Sequence, residues 1–356
     1  MEPAVAPVPA AAANVHVTMV KKRLVSGEPC RKCAQAEAML RARGLWDRID
    51  EVVWAVEGEP DSEGELLGAR LGVAQAPFFV VRDGETAPRV YQHTLEFLRE
   101  RFPAATPRKL TAVDPRGIDG ASADYEGRDP AAILRWGLER FGRECAIAFS
   151  GAEDVALVDM AVRSGFEFSV FALDTGRLHP ETYRFLEEVR THYGIDIDLV
   201  SPDPAKLGPF VRKKGLFSFY EDGHHECCAI RKVEPLRRTL AQCRAWVTGQ
   251  RRDQNPATRA ELRVIQVDGA FPGAHGGPLV KLNPLAAWSS AQTWQYIRDH
   301  GVPHNPLHDH GYLSIGCEPC TRPIRPGQHE REGRWWWETA ADKECGLHSV
   351  PPPAPR

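Results

Sequence analysis

The chain has 356 residues, 42% of them hydrophobic and 26% charged, with a formal net charge of −3. That length suits two compact domains, and the composition is globular. The charge balance excludes a polybasic nucleic-acid binder, and no apolar run approaches the roughly 20 residues that span a bilayer. The opening "MEPAVAPVPAAAANVH" lacks the basic and apolar regions of a secretory signal. Residues 1–14 are therefore expected to be a disordered tail, in a cytoplasmic protein.

A first domain is predicted over residues 15–102. "VHVTMVKKRLV" reads as a strand with Val15, Val17 and Met19 on one face. "SGEPC" breaks it, and "CAQAEAMLRARG" reads as a helix ended by Gly44. A strand "EVVWAVE" follows; a second apolar strand comes just after Pro77, with a turn at Asp83-Gly84. "TLEFLRERF" closes the unit as an amphipathic helix. Residues 103–128 carry Pro, Gly, Asp and Ser without sustained periodicity and read as a linker, with room for a helical start of the next domain.

From Asp129 strands and helices alternate: "CAIAFS", "EDVALVDMAVRSG", "FSVFALD", "PETYRFLEEVRTHYG" and "IDIDLVSP". This spacing predicts an α/β domain with a parallel sheet and helical crossovers over residues 129–330. "RAWVTG", "LRVIQVD" and "LVKLNPL" read as further strands, and "SSAQTWQYIRDHG" as a Ser-capped helix. After Gly311 the chain is turn-rich, and residues 331–356 form a C-terminal arm.

Nine cysteines, an odd number, argue against a disulfide framework and for metal or redox chemistry. Cys30 and Cys33 form a CxxC at a strand-to-helix junction, where the helix N-terminus favours a thiolate and Arg31 and Lys32 push the same way. The alternative is half of a zinc site, but no second pair lies in this unit. With Pro77 placed to be a cis-proline facing the dithiol, the unit resembles a glutaredoxin or thioredoxin.

In "AFSGAEDVALVDMA", Ser150 and Gly151 lie between a buried strand and a helix. There, backbone N–H groups and a hydroxyl can approach a phosphate or ribose. The loop resembles the modified P-loop of ATP pyrophosphatases and adenylyl-sulfate reductases. Its lysine position is occupied by Glu153 and its final serine by Val155, which points away from ATP. "LDTGRL" ends the next strand, so Asp174 and Arg177 either face the same crevice or are plain turn chemistry.

Cys227 and Cys228 are adjacent, and Cys317 and Cys320 form a second CxxC. Neighbouring side chains diverge, which suits the spread ligand sites of an iron–sulfur cluster better than one tetrahedral zinc; simple structural thiols are the third reading.

Taken together, "GLFSFYEDGHHECCAIRKVEPLRR", "VTGQRRDQ", "GCEPCTRPIRPGQHEREGRWWWE" and "KECGLH" resemble the assimilatory adenylyl-sulfate (APS) reductases, of the family that also handles phosphoadenylyl-sulfate (PAPS). The resemblance covers residues 129–349. It implies an adenine nucleotide alpha hydrolase-like domain of PP-loop type, with a [4Fe–4S] cluster on Cys227, Cys228, Cys317 and Cys320. It implies Cys345 as nucleophile, flanked by Lys343 and His348. Arg331 and Arg334 match residues on the phosphosulfate, Lys232 bridges cluster and substrate, and Leu173 and Gly249 match adenosine contacts. Arg251 and Arg177 are further substrate candidates. The expected reaction forms an S-sulfocysteine, resolved by a thiol donor: Cys30 and Cys33 of the fused domain, or thioredoxin, glutaredoxin or glutathione. Plant-type relatives carry such a domain at the C-terminus; here it is N-terminal.

Alternatives are PAPS reduction, a tRNA-thiolating PP-loop enzyme and a redox-sensing module. The altered loop and net acidity oppose the tRNA enzyme, and no nucleic-acid or membrane partner is expected; a homo-oligomer is possible on the pattern of bacterial relatives. Cys145 and Cys243 read as buried spectators, and His304, His308 and His310 as loop residues rather than metal ligands. The run Trp335 to Trp337 reads as a dock for the arm.

Overall fold

The computed structural model describes residues 15–42, 45–84, 86–102, 114–325 and 327–338. The chain divides into two compact units, Met1–Pro103 and Ala104–Arg356.

In the first unit β1 (Val15–Arg23), α1 (Arg31–Ala42), β2 (Glu51–Val56), α2 (Glu63–Leu71), β3 (Phe78–Asp83), β4 (Arg89–Tyr91) and α3 (Thr94–Arg101) follow in order. The sheet runs β2-β1-β3-β4, with β1 parallel to β2 and the other pairs antiparallel. β1 is an internal strand, so the expected one-face alternation gives way to an unbroken buried run from Val17 to Lys21. α2 has little apolar periodicity because it packs through glycine. A Cβ on Gly64 would lie 2.3 Å from the Ala55 backbone nitrogen.

The second unit opens with α4 (Pro115–Tyr125) and α5 (Pro130–Phe141). α4 falls inside the segment expected to be a linker. Asp114 caps it by accepting the Arg116 N–H, Ile118 is buried, and the helix lies against the strand Ile265–Val267. Arg263 and Arg252 add ion pairs to Asp119 and Glu126. These contacts make it part of the α/β unit.

There follow β5 (Cys145–Ala148), α6 (Ala152–Ser164), β6 (Ser169–Leu173), α7 (Pro180–Tyr193), β7 (Asp198–Val200) and α8 (Pro204–Lys214), then β8 (Ala245–Val247), β9 (Ile265–Val267) and β10 (Val280–Leu282). The sheet order is β7-β6-β5-β8-β10-β9. All pairs are parallel except β9 with β10, so the predicted parallel sheet carries one antiparallel edge strand. The central strands are largely apolar: Ile147, Val247, Val280 and Leu282 have no exposed surface, though Lys281 in β10 is buried among them. The chain winds from β5 outward to β7, then returns to lay β8 on the other side of β5. Between β5 and β8 lies the switch point where open α/β sheets leave a crevice at the strands' carboxyl ends.

Candidate active site

The turns leaving β5, β6 and β8 open into one cavity of about 230 Å³. Ser150 and Gly151, Leu173, and Gly249 line it from these three turns, and Lys232, Arg331 and Arg334 from later segments.

Sequence reasoning left the N–H groups and hydroxyl of the β5 turn for a phosphate or ribose. The structure commits them to Asp154. Its Oδ2 accepts the Ser150 N–H and hydroxyl, both at 2.8 Å, and the Gly151 N–H at 3.1 Å. Oδ1 accepts the Gly249 N–H at 2.9 Å. Burial pushes the Asp154 carboxyl up to about 6 against the pull of these donors. Gly249 is required by proximity, since a Cβ there would lie 2.5 Å from Asp154 Oδ1.

Arg251 is corrected as well. Its side chain is fully buried and is absent from the cavity lining. Glu153 at 3.0 Å, Glu330 at 2.8 Å and Asp253 surround the guanidinium. Glu153, at the lysine position of the related P-loops, is thus the anchor of an ion-pair network. Arg251 ties α6 to the C-terminal segment rather than reaching into the cavity.

Behind Lys232 and Cys317, which line both spaces, is a smaller cavity walled by Cys227, Cys228, Cys317 and Cys320. All four cysteines are buried in one cluster with Phe210, Phe219 and Trp335. Cys227 and Cys228 end the turn His225–Cys228, which runs into a π-helical turn, Ala229–Val233, and then the helix Glu234–Leu240. Such π turns concentrate at functional sites, and this one carries Arg231 and Lys232.

Cys317 is joined to the β6 turn. Leu178 bridges to Cys317, the Glu318 N–H donates to the Arg177 carbonyl at 2.8 Å, and Thr175 Oγ1 lies 3.2 Å from Cys317 Sγ. "LDTGRL" is therefore the brace of the second cysteine pair. Arg177, expected at the substrate, instead lines the cysteine cavity, with its guanidinium 5.1 Å from the Phe219 ring. Burial pushes the Cys317 thiol up, but Lys232, the Thr175 hydroxyl, Arg334 and Arg177 outweigh it and hold the thiol below its ordinary value. Cys320 lacks that balance; burial and the Cys317 charge push it up to about 12.

The tryptophan run docks on this cluster. Trp335 is buried and stacks on His224 at 4.1 Å, and Trp337 meets Tyr220 at 4.6 Å. Glu338 accepts the His224 N–H at 2.9 Å. Cys345, with Lys343 and His348, lies outside the described residues.

In the first unit, Cys30 Sγ and Cys33 Sγ are 3.1 Å apart, and the Lys22 N–H donates to Cys33 Sγ at 3.1 Å. The hydrogen bond from Cys33 holds the Cys30 thiol down at about 6, against the effect of burial and with help from the N–H groups of Cys33 and Lys32 and the Lys22 charge. The same bond and burial push Cys33 up. Ala76-Pro77 is cis, as expected. Pro77 immediately precedes β3, whose first residue Phe78 lies opposite Val20, two residues before Lys22, whose N–H bonds Cys33.

A phosphoadenosine phosphosulfate reductase domain model matches residues 144–323, about half of the chain, including the β5, β6 and β8 turns, Lys232 and the four clustered cysteines. The chain belongs to that reductase family. It is 58% identical over 235 residues to the adenosine 5'-phosphosulfate reductase of Pseudomonas aeruginosa, covering 66% of this chain and 88% of the relative. It is 56% identical over 242 residues to the chloroplastic 5'-adenylylsulfate reductase 3 of Arabidopsis thaliana, covering 67% of this chain and 53% of that one. Among solved structures, the phosphoadenylyl-sulfate reductase of Candida auris, in a phosphate complex, matches at 27% identity and TM-score 0.50, over 59% of this chain and 98% of that one. The α/β unit is thus the PP-loop-type nucleotide fold of these reductases.

Sequence motifs alone did not single out Asp154 or Glu330, and read His308 only as a loop residue; all three line the cavity. For Asp154 a signal existed in "SGAED", an acidic residue one turn into a helix after a glycine loop, and it reads equally well as helix capping.

Proposed function

We propose that this chain reduces adenylyl sulfate to sulfite and AMP by thiol chemistry. The observation that carries the reading is the cavity at the switch point. One part of its wall supplies Lys232, Arg331 and Arg334, and that part adjoins the buried cysteines. Three cations beside a nucleotide-sized space suit a phosphosulfate anhydride, whose attack by a thiolate is repulsive until its charge is offset. The named relatives support the same substrate.

In the proposed sequence the Cys345 thiolate attacks the sulfur of the phosphosulfate. The bond from sulfur to the phosphate oxygen breaks, AMP leaves with the electron pair, and a sulfonate remains on Cys345. The Cys30 thiolate then attacks Cys345 Sγ. Sulfite departs with the electrons of the S–S bond, and Cys33, losing its proton, attacks the mixed disulfide and frees Cys345. Two thiols are oxidised to one disulfide as sulfur is reduced by two electrons. Recharging requires an external dithiol or glutathione. Covalent tethering raises the effective concentration of the dithiol to on the order of millimolar when a linker spans the gap.

The cysteine cavity fits a [4Fe–4S] cluster by its donor set: four thiols in an apolar shell with Arg177, Arg231 and Lys232 beside them, complementary to a cluster of net negative charge. Among the described residues no group of three or more His, Cys, Asp or Glu side chains is placed to hold a metal ion. Cys227, Cys228, Cys317 and Cys320 would hold the cluster. When bound, it supplies a fixed centre of charge behind Lys232.

The test is anaerobic purification, iron and sulfide analysis, and sulfite release from APS against PAPS with a thiol donor. The reading expects about four irons per chain and preference for APS. It fails if no SO₃ adduct forms on the Cys345 peptide after incubation with APS.

A further inference from the structure

The polar groups of the nucleotide cavity do not all suit an anion. His308, in the middle of the helical turn Pro306–His310, lines the cavity. Its Nδ1 lies 2.7 Å from the Tyr312 carbonyl oxygen. A carbonyl only accepts, so Nδ1 carries the proton and Nε2 presents a bare lone pair. The ring is held edge-on to Trp294 at 5.0 Å, which fixes the direction of that lone pair. Burial keeps the imidazole below its ordinary pKa and hence neutral. Nε2 is nevertheless buried with no hydrogen-bond partner in the protein. A second orphan lies in the same wall: Gln250 is 6% exposed, and its Oε1 also has no partner.

Buried acceptors without donors are destabilising and are normally satisfied. Phosphate and sulfate at neutral pH bring acceptors, which these atoms would repel. The adenosine half of the nucleotide brings donors: the exocyclic amine and the ribose hydroxyls. We propose that His308 is a specificity-determining residue whose Nε2 accepts a hydrogen bond from an N–H or O–H of the adenosine half of the bound nucleotide. Gln250 Oε1 completes an acceptor wall, as Lys232, Arg331 and Arg334 make a donor wall for the anion. The two kinds of wall orient the ligand and leave the phosphosulfate beside Lys232. This inference rests on the adenylate reading given above.

The test uses the full chain as isolated. Dissociation constants are measured by calorimetry for AMP, IMP, 2′-deoxy-AMP and 3′-deoxy-AMP on the wild type, His308→Phe and His308→Gln. Phe keeps the ring against Trp294 and removes the acceptor; Gln restores an acceptor without the ring. The wild type should lose about tenfold in affinity for the analogue that lacks the donor facing Nε2. His308→Phe should bind AMP about tenfold more weakly and bind that analogue with unchanged affinity. His308→Gln should recover part of the discrimination. The analogue that responds identifies the donor as amine or hydroxyl. If His308→Phe keeps every wild-type ratio, or weakens all four ligands by one common factor, the proposal is wrong while the adenylate reading stands. If the wild type does not bind AMP at all, both fall.

Discussion

Asp154 Oδ1 accepts the Gly249 N–H at 2.9 Å, across the switch point between β5 and β8. The same carboxylate holds the Ser150 and Gly151 N–H groups on its other oxygen. One buried side chain therefore sets the separation of the two turns that form the cavity floor. The space is defined before a ligand enters, which lowers the ordering cost of binding.

Gly249→Ala tests that link. The added Cβ would stand 2.5 Å from both Asp154 Oδ1 and Glu153 Cβ, so the turn must move or Asp154 must release it. Overpacking of this kind costs about 1–3 kcal/mol. Thermal unfolding should show a lowered melting temperature, with AMP affinity reduced as well. A variant that melts and binds like the wild type would mean that the two turns are not rigidly coupled.

Arg251 stands among Glu153, Asp253 and Glu330 with its side chain fully buried. Removing only the cation leaves carboxylates unbalanced, and truncating one partner of a buried ion pair costs about 3–5 kcal/mol. Arg251→Met should lower the urea midpoint accordingly. Adding Glu153→Gln should restore part of the loss, because that carboxylate is then neutral. Equal stability of Arg251→Met and wild type would refute the network's structural role.

Cys30 should react as a thiolate well below the usual thiol range. An acid whose pKa is held down to about 6 is ionised above that value and protonated below it. Iodoacetamide labelling of the reduced chain, read at the Cys30 peptide by mass spectrometry, should therefore climb between about pH 5 and 7 and level off above. In Cys33→Ala the largest lowering influence is gone, and the midpoint should rise toward the ordinary value near 9.0. A wild-type midpoint already near that value would remove the electrostatic basis for Cys30 as the attacking thiol.

Much of the fold was legible in the chain itself. The alternation of apolar strands and helices after Asp129 indicated a parallel sheet, and β5 through β8 form one. Paired cysteines at "HHECC" and "GCEPC" were recognisable as a set, and the structure buries all four together. The CxxC and Pro77 pointed to a dithiol beside a cis-proline, and both features are present. These signals are local: they depend on spacing along the chain, on residue type and on turn chemistry.

Assignments that depended on partners fared differently. Arg177 and Arg251 looked like anion binders because arginine near a glycine turn at a strand end is a reasonable anion site. Folding instead turned Arg177 toward the cysteines and enclosed Arg251 among carboxylates drawn from residues 98 and 79 positions away. No window of sequence contains that choice. In the same way α4 was hidden because its apolar stripe is narrow, and only the β9 surface makes it worth burying. Composition and period determined the architecture and the inventory of reactive groups. Tertiary structure decided which donors are already spent and which acceptors are left waiting for a ligand, because hydrogen bonds and ion pairs are settled by distance in space.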